Sequence, residues 1–320
     1  MKIKVLDRSA MGFDLSFDVL STYGEVEIYD NTSADVLCDR IIDADILVIN
    51  KIKLTRQVLE SAHSLKLVCI FATGYDNVDI TAARELGIAV CNVPAYSTDS
   101  VTLFTISNAL YLFSHLAEYK KHVTSGRYTE EGKANCLTPL YHELRGKVWG
   151  IIGFGNIGKS VAKVAEAFGC KILVNKRTAT DGYNCVDIET LCRESDIISI
   201  HCPLNESSYH LINDELIALM KPSVVIVNEA RGAVVDENAV ANAVLSGKIA
   251  AFGSDVYSVE PFDKKHPYTK IMGLDNVCLT PHSAWGAIEA RERCLNVICN
   301  NIDAFLSGNI KNRVDIARQN

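Results

Sequence analysis

The 320-residue sequence lacks a long uninterrupted apolar run, a block of like charge and a low-complexity segment. Its most apolar long stretch, 101–117, is interrupted by Thr, Ser, Asn and His residues. We therefore expect a buried or dimer-interface helix there rather than a membrane span. The N-terminal run 1–7 is too short and too charged for a secretory signal, so it predicts a first strand and a cytoplasmic protein.

Net positive charge is also missing, since 39 acidic residues outnumber 32 basic ones and the formal net charge is −7. This balance argues against nucleic acid or an anionic membrane as the main partner, because both attract basic surfaces. It does not exclude a local basic pocket for a small anion. The apolar fraction of 48% and the chain length favour a globular protein with two domains.

The eleven cysteines never form a Cys-x-x-Cys motif, and their number is odd. Cys294 and Cys299 lie five residues apart on a predicted helix, which is not a usual ligand spacing. We interpret the cysteines as reduced, mostly buried thiols and predict no metal site.

Apolar, β-rich runs alternate with helical patterns, which is typical of a parallel sheet flanked by helices. The predicted strands are 3–6, 46–49, 67–70, 89–92, 148–152, 171–175, 197–201, 224–228, 249–255 and 277–280. The predicted helices are 55–62, 80–86 (ended by Gly87), one long helix 100–126, 157–168, 214–220, 237–245 and 287–305. The pattern alone supports two α/β lobes. We infer a discontinuous first domain built from both termini, with the second series of strands inserted.

A Gly-x-Gly-x-x-Gly motif ends the strand 148–152 and opens the next helix. This context favours a Rossmann dinucleotide site over a glycine turn without a ligand. Gly153 permits the tight turn, Gly155 lets a pyrophosphate approach the backbone, and Gly158 permits close packing of helix and strand. The helix N-terminus supplies N–H donors and partial positive charge.

The tip of the second Rossmann strand carries Asn175, Lys176 and Arg177, with no carboxylate for the adenosine ribose hydroxyls. Two cations there favour the 2′-phosphate of NADP, although NAD binding without the acidic contact is the open alternative.

Three polar residues follow three successive predicted strands: Arg231, Glu260 and His282. Because ligands of open α/β sheets bind at the carboxyl ends of the strands, all three are expected to converge at the nicotinamide. Arg231 suits the carbonyl oxygen and carboxylate of a 2-keto acid, and His282 suits proton transfer. Glu260 would favour the imidazolium form and orient the ring. Asp255 is placed to contact the nicotinamide carboxamide.

These residues stand in segments that resemble the D-isomer-specific 2-hydroxyacid dehydrogenases. The similar segments span nearly the whole chain: 72–79 (ATGYDNVD), 92–98 (NVPAYST), 201–204 (HCPL), 228–232 (NEARG), 255–261 (DVYSVEP) and 280–285 (TPHSAW). The resemblance implies an α/β fold in which a Rossmann domain, 100–286, is inserted in a flavodoxin-like substrate-binding domain, 1–99 plus 287–320. It also implies a homodimer.

The resemblance assigns the catalytic roles to Arg231, Glu260 and His282. It places the substrate carboxylate on the backbone amides around Thr73 and Gly74. The residues implied to line the cofactor, besides the glycine motif, Lys176 and Arg177, are Asn156, Ile157, Cys202, Pro203, Ser208, Glu229, Ala230 and Asp255.

Within the family, Trp285 and the pair Asn50-Lys51 look like glycerate dehydrogenase/hydroxypyruvate reductase members. We expect Trp285 and Lys51 to lie at the substrate, although a surface lysine is nearly as compatible with the sequence. Two positions depart from the family pattern. Leu103 replaces the usual acidic or amide residue, and Ser223 replaces the usual glycine of a turn.

The sequence thus predicts an enzyme that reduces hydroxypyruvate or glyoxylate reversibly with NAD(P)H. A dehydrogenase of a bulkier 2-keto acid, such as a D-lactate dehydrogenase, is the first alternative. A dinucleotide-sensing, corepressor-like binding protein is the second, and the complete Arg–Glu–His set disfavours it.

Overall fold

The computed structural model describes residues 1–178 and 181–316, and the chain divides into two compact units. The first unit comprises Met1–Ser97 together with the chain from Gly286 onward, and the second comprises Thr98–Trp285. Each unit has its own parallel sheet with helices packed against it.

The sheet of the first unit has five parallel strands in the order β2-β1-β3-β4-β5, which is the flavodoxin-like order. Its central strands read Ile-Leu-Val-Ile and Leu-Val-Cys-Ile and are fully buried, as expected of strands covered on both faces. The strands are β1 (Lys2–Val5), β2 (Glu25–Ile28), β3 (Ile46–Ile49), β4 (Leu67–Ile70) and β5 (Ala89–Cys91). The helices are α1 (Arg8–Met11), α2 (Ala34–Ile41), α3 (Arg56–Ser61), α4 (Ile80–Glu85) and the C-terminal α12 (Ile288–Leu306).

Side chains of the C-terminal segment attach it to the first unit. The carboxylate of Asp315 accepts a hydrogen bond from the Val90 amide at 2.9 Å, and the Asn301 amide group donates to the Asn92 carbonyl at 3.0 Å. The described part of the C-terminal segment is therefore held on the sheet that also contains β1.

The second unit has seven parallel strands in the order β12-β11-β10-β9-β6-β7-β8. The order reverses between β6 and β9, and this switch point marks the ligand crevice of a Rossmann sheet. The strands are β6 (Val148–Ile152), β7 (Lys171–Asn175), β8 (Asn184–Cys185), β9 (Ile197–Ile200), β10 (Val225–Asn228), β11 (Ala251–Ser254) and β12 (Val277–Leu279). The helices are α5 (Thr98–Phe113), α6 (Leu116–Thr124), α7 (Arg127–Glu131), α8 (Asn156–Ala167), α9 (Ile188–Glu194), α10 (Asp214–Leu219) and α11 (Glu237–Leu245). The predicted fold class is confirmed.

The single long helix predicted over 100–126 is wrong. Helix α5 ends at Phe113 and α6 begins at Leu116, because His115 takes a left-handed backbone with φ of 54°. The His115 ring contacts the Glu118 carboxylate at 3.1 Å, a local interaction within the first turn of the new helix. Leu103, the departure from the family pattern, is exposed on α5.

The other differences concern short or mostly exposed elements. Strands β2 and β8 and helices α1, α2, α7 and α9 are absent from the prediction, and the strands predicted over 249–255 and 277–280 are shorter in the structure. Strand β2 has the sequence Glu-Val-Glu-Ile at the sheet edge, where exposure removes the apolar run that marks a buried strand.

All eleven cysteines lie within the described residues, and none of them forms a disulfide bond. Within residues 1–178 and 181–316, no helix combines the length and apolar character needed to span a membrane. The same residues contain no group of three or more His, Cys, Asp or Glu side chains suited to a metal ion.

Trp149 offers a test of the packing of the second sheet. Its ring is fully buried on β6 and its indole N–H donates to the Ser199 hydroxyl of β9 at 3.0 Å. Ser199→Ala leaves this donor buried without its partner, so we expect the free energy of unfolding to fall by about 1–3 kcal/mol. Urea unfolding followed by tryptophan fluorescence measures the change. Ser223→Ala, at an exposed position, is the control and should match the wild type.

Candidate active site

The candidate site lies at the carboxyl ends of three adjacent strands of the second unit. Arg231 follows β10, Glu260 follows β11 and His282 follows β12. Since the strands are parallel neighbours, the segments that carry these residues leave the same edge of the sheet.

Glu260 and His282 form a direct pair. Glu260 Oε2 lies 2.7 Å from His282 Nδ1, and each side chain is about one quarter exposed. The other carboxylate oxygen, Oε1, accepts a hydrogen bond from the Tyr257 amide at 3.1 Å. A hydrogen bond within its own loop thus holds the Glu260 carboxylate while the carboxylate orients the imidazole. Glu260 contacts the ring through Nδ1 and not through Nε2.

Asp255 holds the turn that presents His282. Its buried carboxylate accepts hydrogen bonds from the Thr280 hydroxyl at 2.6 Å and from the amides of Ser283 and Ala284, both at 2.8 Å. His282, between these donors, has a left-handed φ of 53°. Three charge-assisted hydrogen bonds from one short segment stabilise a backbone that a non-glycine residue rarely adopts.

Arg231 is positioned by the end of β10. The side chain of buried Asn228 donates to the Arg231 carbonyl at 3.0 Å and accepts from the Ala230 amide at 3.1 Å, which closes a short turn. The guanidinium donates to the Ala230 carbonyl at 2.8 Å.

Gly232 brings the Arg231 turn against the loop that carries Glu260. A Cβ atom at Gly232 would lie 1.9 Å from the carbonyl carbon of Tyr257 and 2.2 Å from the Ser258 nitrogen. Only glycine fits this close approach of two backbones. The Tyr257 hydroxyl also donates to the Thr280 carbonyl at 2.7 Å, so Tyr257 touches the segments of all three candidate catalytic residues.

Glu229, which follows β10, contacts helix α5. Its Oε1 accepts a hydrogen bond from the Asn108 amide group at 2.7 Å. Burial, together with the neighbouring Asp255 carboxylate, raises the pKa of Glu229 to about 8. The side chain is therefore mostly protonated at neutral pH, and the expected cofactor contact at this position stays a prediction.

The glycine turn after β6 fits a dinucleotide pyrophosphate. Gly153 has a φ of +89°, and a Cβ atom there would lie 2.5 Å from the Cys202 nitrogen. At Gly158 a Cβ atom would lie 2.3 Å from the Gly153 carbonyl oxygen. Above Gly155, by contrast, a Cβ atom would meet no atom of the described chain within 4 Å. This space lies at the N-terminus of α8, where Asn156, Ile157 and Gly158 present first-turn N–H groups.

The tip of β7 carries Lys176 and Arg177, the two cationic residues predicted for the cofactor. In the structure Arg177 contacts the loop after β9. The Arg177 guanidinium donates to the Ser207 hydroxyl at 2.7 Å and lies 3.4 Å from the Asn205 side-chain oxygen. Arg177 thus joins the end of β7 to the loop that follows β9. Lys176 is half-buried beside it.

The loop after β9 is stabilised internally. Ser208 is buried, and its hydroxyl accepts from the Asn205 amide at 2.8 Å and donates to the Pro203 carbonyl at 2.7 Å. Burial raises the pKa of the Cys202 thiol to about 11 and lowers the pKa of the His201 ring to about 3. Both side chains are consequently uncharged at neutral pH.

In the first unit, Thr73 and Gly74 follow β4. The Thr73 hydroxyl donates to the Val93 carbonyl at 2.8 Å, and Asn92 donates to the Thr73 carbonyl at 2.7 Å. Within residues 1–178 and 181–316, neither the Thr73 amide nor the Gly74 amide donates to a backbone carbonyl. Two adjacent N–H groups on a fixed loop suit an anion.

Lys51 follows β3 in the first unit, on a loop held by a buried carboxylate. Asp7 accepts hydrogen bonds from the amides of Asn50, Lys51 and Ile52, and the Lys51 bond measures 2.5 Å. Burial raises the pKa of Asp7 against the effect of these donors. Trp285 is the last residue of the second unit and is half-buried.

Sequence reasoning missed the groups that support these residues. Asp7, Asn108 and Glu237 act through contacts across more than twenty residues of chain, and no local spacing marks them. Gly232 had a usable signal, since a glycine directly after a candidate catalytic arginine suggests a close backbone approach.

Comparisons with known proteins agree with this geometry. A family model described as "D-isomer specific 2-hydroxyacid dehydrogenase, NAD binding domain" matches residues 106–284. A hydroxypyruvate reductase of Blautia hydrogenotrophica is 38% identical, over 98% of this chain and 100% of the relative. A glyoxylate reductase of Thermococcus litoralis is 36% identical, over 91% of this chain and 90% of the relative.

A solved structure of an acyclic imino acid reductase in complex with NADPH and D-Arg superposes with a TM-score of 0.86 and 29% identity. It covers 98% of this chain, which in turn covers all of that chain. The Rossmann glycine turn and these matches together identify the cofactor class as a nicotinamide dinucleotide. The chain belongs to the D-isomer-specific 2-hydroxyacid dehydrogenase family of oxidoreductases.

Proposed function

We propose that this enzyme reduces hydroxypyruvate or glyoxylate to the D-2-hydroxy acid, reversibly, at a site formed by Arg231, Glu260 and His282. The observation that carries the proposal is the 2.7 Å Glu260–His282 pair on the strand edge that also presents Arg231. The names of the relatives from Blautia hydrogenotrophica and Thermococcus litoralis support the two substrates.

Arg231 binds the substrate in this proposal. Its guanidinium is always charged and has several donors in one plane, so it can hydrogen-bond to the carboxylate and the carbonyl oxygen of a 2-keto acid. As negative charge develops on the carbonyl oxygen, these donors stabilise it. The bound dinucleotide supplies the hydride.

His282 supplies the proton to the developing alkoxide from Nε2, and in the reverse direction removes it. Glu260, on Nδ1, fixes the ring orientation and stabilises the imidazolium that donates the proton. The pair therefore fixes the ring through Nδ1 and assigns proton transfer to Nε2.

We further propose that 1–99 and 287–320 form the substrate-binding domain and that 100–286 form the dinucleotide-binding domain. The adjacent amides of Thr73 and Gly74 support a role in holding the substrate carboxylate. Lys51, on a loop fixed by Asp7, and Trp285 are proposed as further substrate contacts.

For the cofactor we propose a preference for NADP(H) over NAD(H). The 2′-phosphate needs cationic donors, and Arg177 lies beside the Ser207 hydroxyl at the tip of β7. The NADPH complex of the imino acid reductase is in keeping with this preference. The backbone around 153–158, 202–203, 229–230 and 255 is proposed to line the rest of the dinucleotide, with Ser208 shaping the loop.

A homodimer in the cytoplasm is the proposed working form. Several large apolar side chains on α6 and in the segment after α7 are exposed, as expected of a surface that a second copy covers. These are Leu116, Val123, Leu137, Leu140 and Tyr141. The eleven free thiols are in keeping with a reducing compartment.

A panel of 2-keto acids tests the function. Hydroxypyruvate, glyoxylate, pyruvate, a branched 2-keto acid and phenylpyruvate are assayed with NADH and NADPH by loss of absorbance. We expect the highest kcat/KM with the two smallest polar acids, and a D-configured product from hydroxypyruvate. Absence of turnover with every acid contradicts the proposed enzyme, and a clear preference for phenylpyruvate contradicts the proposed substrates.

Replacement of the proposed acid tests the roles within the site. His282→Ala should lower kcat by about 10²- to 10⁴-fold, the contribution of a positioned general acid. Dinucleotide affinity, measured by fluorescence titration, should stay at the wild-type value. His63→Ala, at an exposed position just after α3, is the matched control and should leave both quantities unchanged. Loss of cofactor binding in His282→Ala would assign the residue to the dinucleotide instead.

Replacement of Arg177 tests the cofactor preference. Arg177→Ala removes a charged donor from the 2′-phosphate, so kcat/KM with NADPH should fall about 10-fold or more while the value with NADH changes little. Arg193→Ala, a surface arginine on α9, is the control. Equal loss with both cofactors would show that Arg177 does not read the 2′-phosphate.

A further inference from the structure

A second glutamate–histidine pair lies behind the site, in the interior of the second unit. Glu237 opens α11, His266 lies in the loop after β11, and both residues are buried. Glu237 Oε2 lies 2.9 Å from His266 Nε2. A buried carboxylate and a buried imidazole need hydrogen-bond partners for their polar atoms. The pair therefore fixes the positions of the groups that supply these hydrogen bonds.

The tautomer of His266 follows from its two contacts. The Tyr268 amide donates to His266 Nδ1 at 3.2 Å, so Nδ1 carries the lone pair. Nε2 therefore carries the proton and donates it to Glu237. The ring is a neutral link between the Tyr268 backbone and the Glu237 carboxylate.

Glu237 also hydrogen-bonds to the loop that carries Glu260. Its Oε1 accepts from the Ser258 amide at 2.9 Å, and its Oε2 accepts from the Ser258 hydroxyl at 2.5 Å. Ser258 follows Tyr257, whose amide binds Glu260 and whose backbone packs against Gly232. The Glu237 carboxylate thus holds Ser258, the neighbour of the residue whose amide binds Glu260.

We propose that Glu237 and His266 are positioning residues for the catalytic pair and act through Ser258 and Tyr257. They hold the loop so that Glu260 stays 2.7 Å from His282. Neither residue touches substrate in this proposal, which rests on the proposed function of Glu260 and His282. A displacement of about 1 Å in a reacting group costs up to about 100-fold in rate, so loosening the loop lowers kcat more than it changes substrate or cofactor binding.

Two replacements of His266 separate hydrogen bonding from packing. His266→Phe keeps an aromatic ring among Tyr257, Phe262 and Tyr268, whose ring centroids lie 6.1, 4.7 and 4.9 Å away, but removes the donor to Glu237. His266→Gln removes the ring and retains a donor at the position of Nε2. We expect His266→Phe to lower kcat by about 10- to 100-fold and His266→Gln to restore most of it.

Replacement of Glu237 gives an independent test. The side-chain NH₂ group of Glu237→Gln can occupy the position of either carboxylate oxygen. At Oε2 it faces the His266 ring N–H, and at Oε1 it faces the Ser258 amide, so two donors meet in both orientations. A change of the His266 tautomer only moves the conflict to the Tyr268 amide. This variant should therefore lower kcat by about 10-fold or more, with dinucleotide affinity unchanged. Glu215→Gln, on the exposed face of α10, is the control.

Activity, dinucleotide affinity, the pH–rate profile and Tm are measured on each folded variant. Wild-type kcat and pH profile in His266→Phe, or a loss in His266→Gln as large as in His266→Phe, would overturn the proposal. A lower Tm with unchanged kcat would likewise overturn it, because the pair would then be structural only.

A crystal structure of His266→Phe supplies a readout that needs no substrate. The proposal expects Ser258 to shift and the Glu260–His282 distance to lengthen beyond about 3.5 Å, where the hydrogen bond is lost. An unchanged distance would overturn the positioning role even in an active enzyme. If the wild type turns over none of the 2-keto acids, the proposed function fails while this structural test remains decisive for the loop.

Discussion

The buried Asp255 carboxylate is the group on which the geometry of the site depends most directly. It follows β11 in the middle of the strand-end edge and takes three donors from the segment after β12. Without these bonds the left-handed backbone at His282 has no compensation, and the imidazole loses its direction towards Glu260. A single buried side chain at this edge thus joins two neighbouring strand ends.

The fold and the main site residues could be predicted because their signals are local. Buried parallel strands read as continuous apolar runs, and the glycine turn stands directly between a strand and a helix. Arg231, Glu260 and His282 each follow a strand, and parallel strands bring their carboxyl ends to one edge. The sequence therefore predicted that the segments carrying these three residues leave one edge of the sheet, and the structure shows the contact between Glu260 and His282.

The supporting contacts could not be predicted in this way. Glu237 and His266 are 29 residues apart, and nothing in their spacing indicates a pair. The break before α6 depends on the backbone of His115, a residue type that enters the left-handed region only in a favourable context. Strand β2 was not predicted because an edge strand with two glutamates lacks the continuous apolar pattern of a buried strand. In each case tertiary packing decides what local preference leaves open.

The proposed carboxylate site at the adjacent amides of Thr73 and Gly74 has a consequence for how substrate binding responds to pH. Backbone N–H groups do not titrate, so an anion held by them is bound equally well across the pH range in which the anion stays ionised. Proton transfer, by contrast, is proposed to depend on a side-chain nitrogen, Nε2 of His282. In the proposed mechanism, binding of the substrate carboxylate and transfer of the proton thus depend on groups of different kinds.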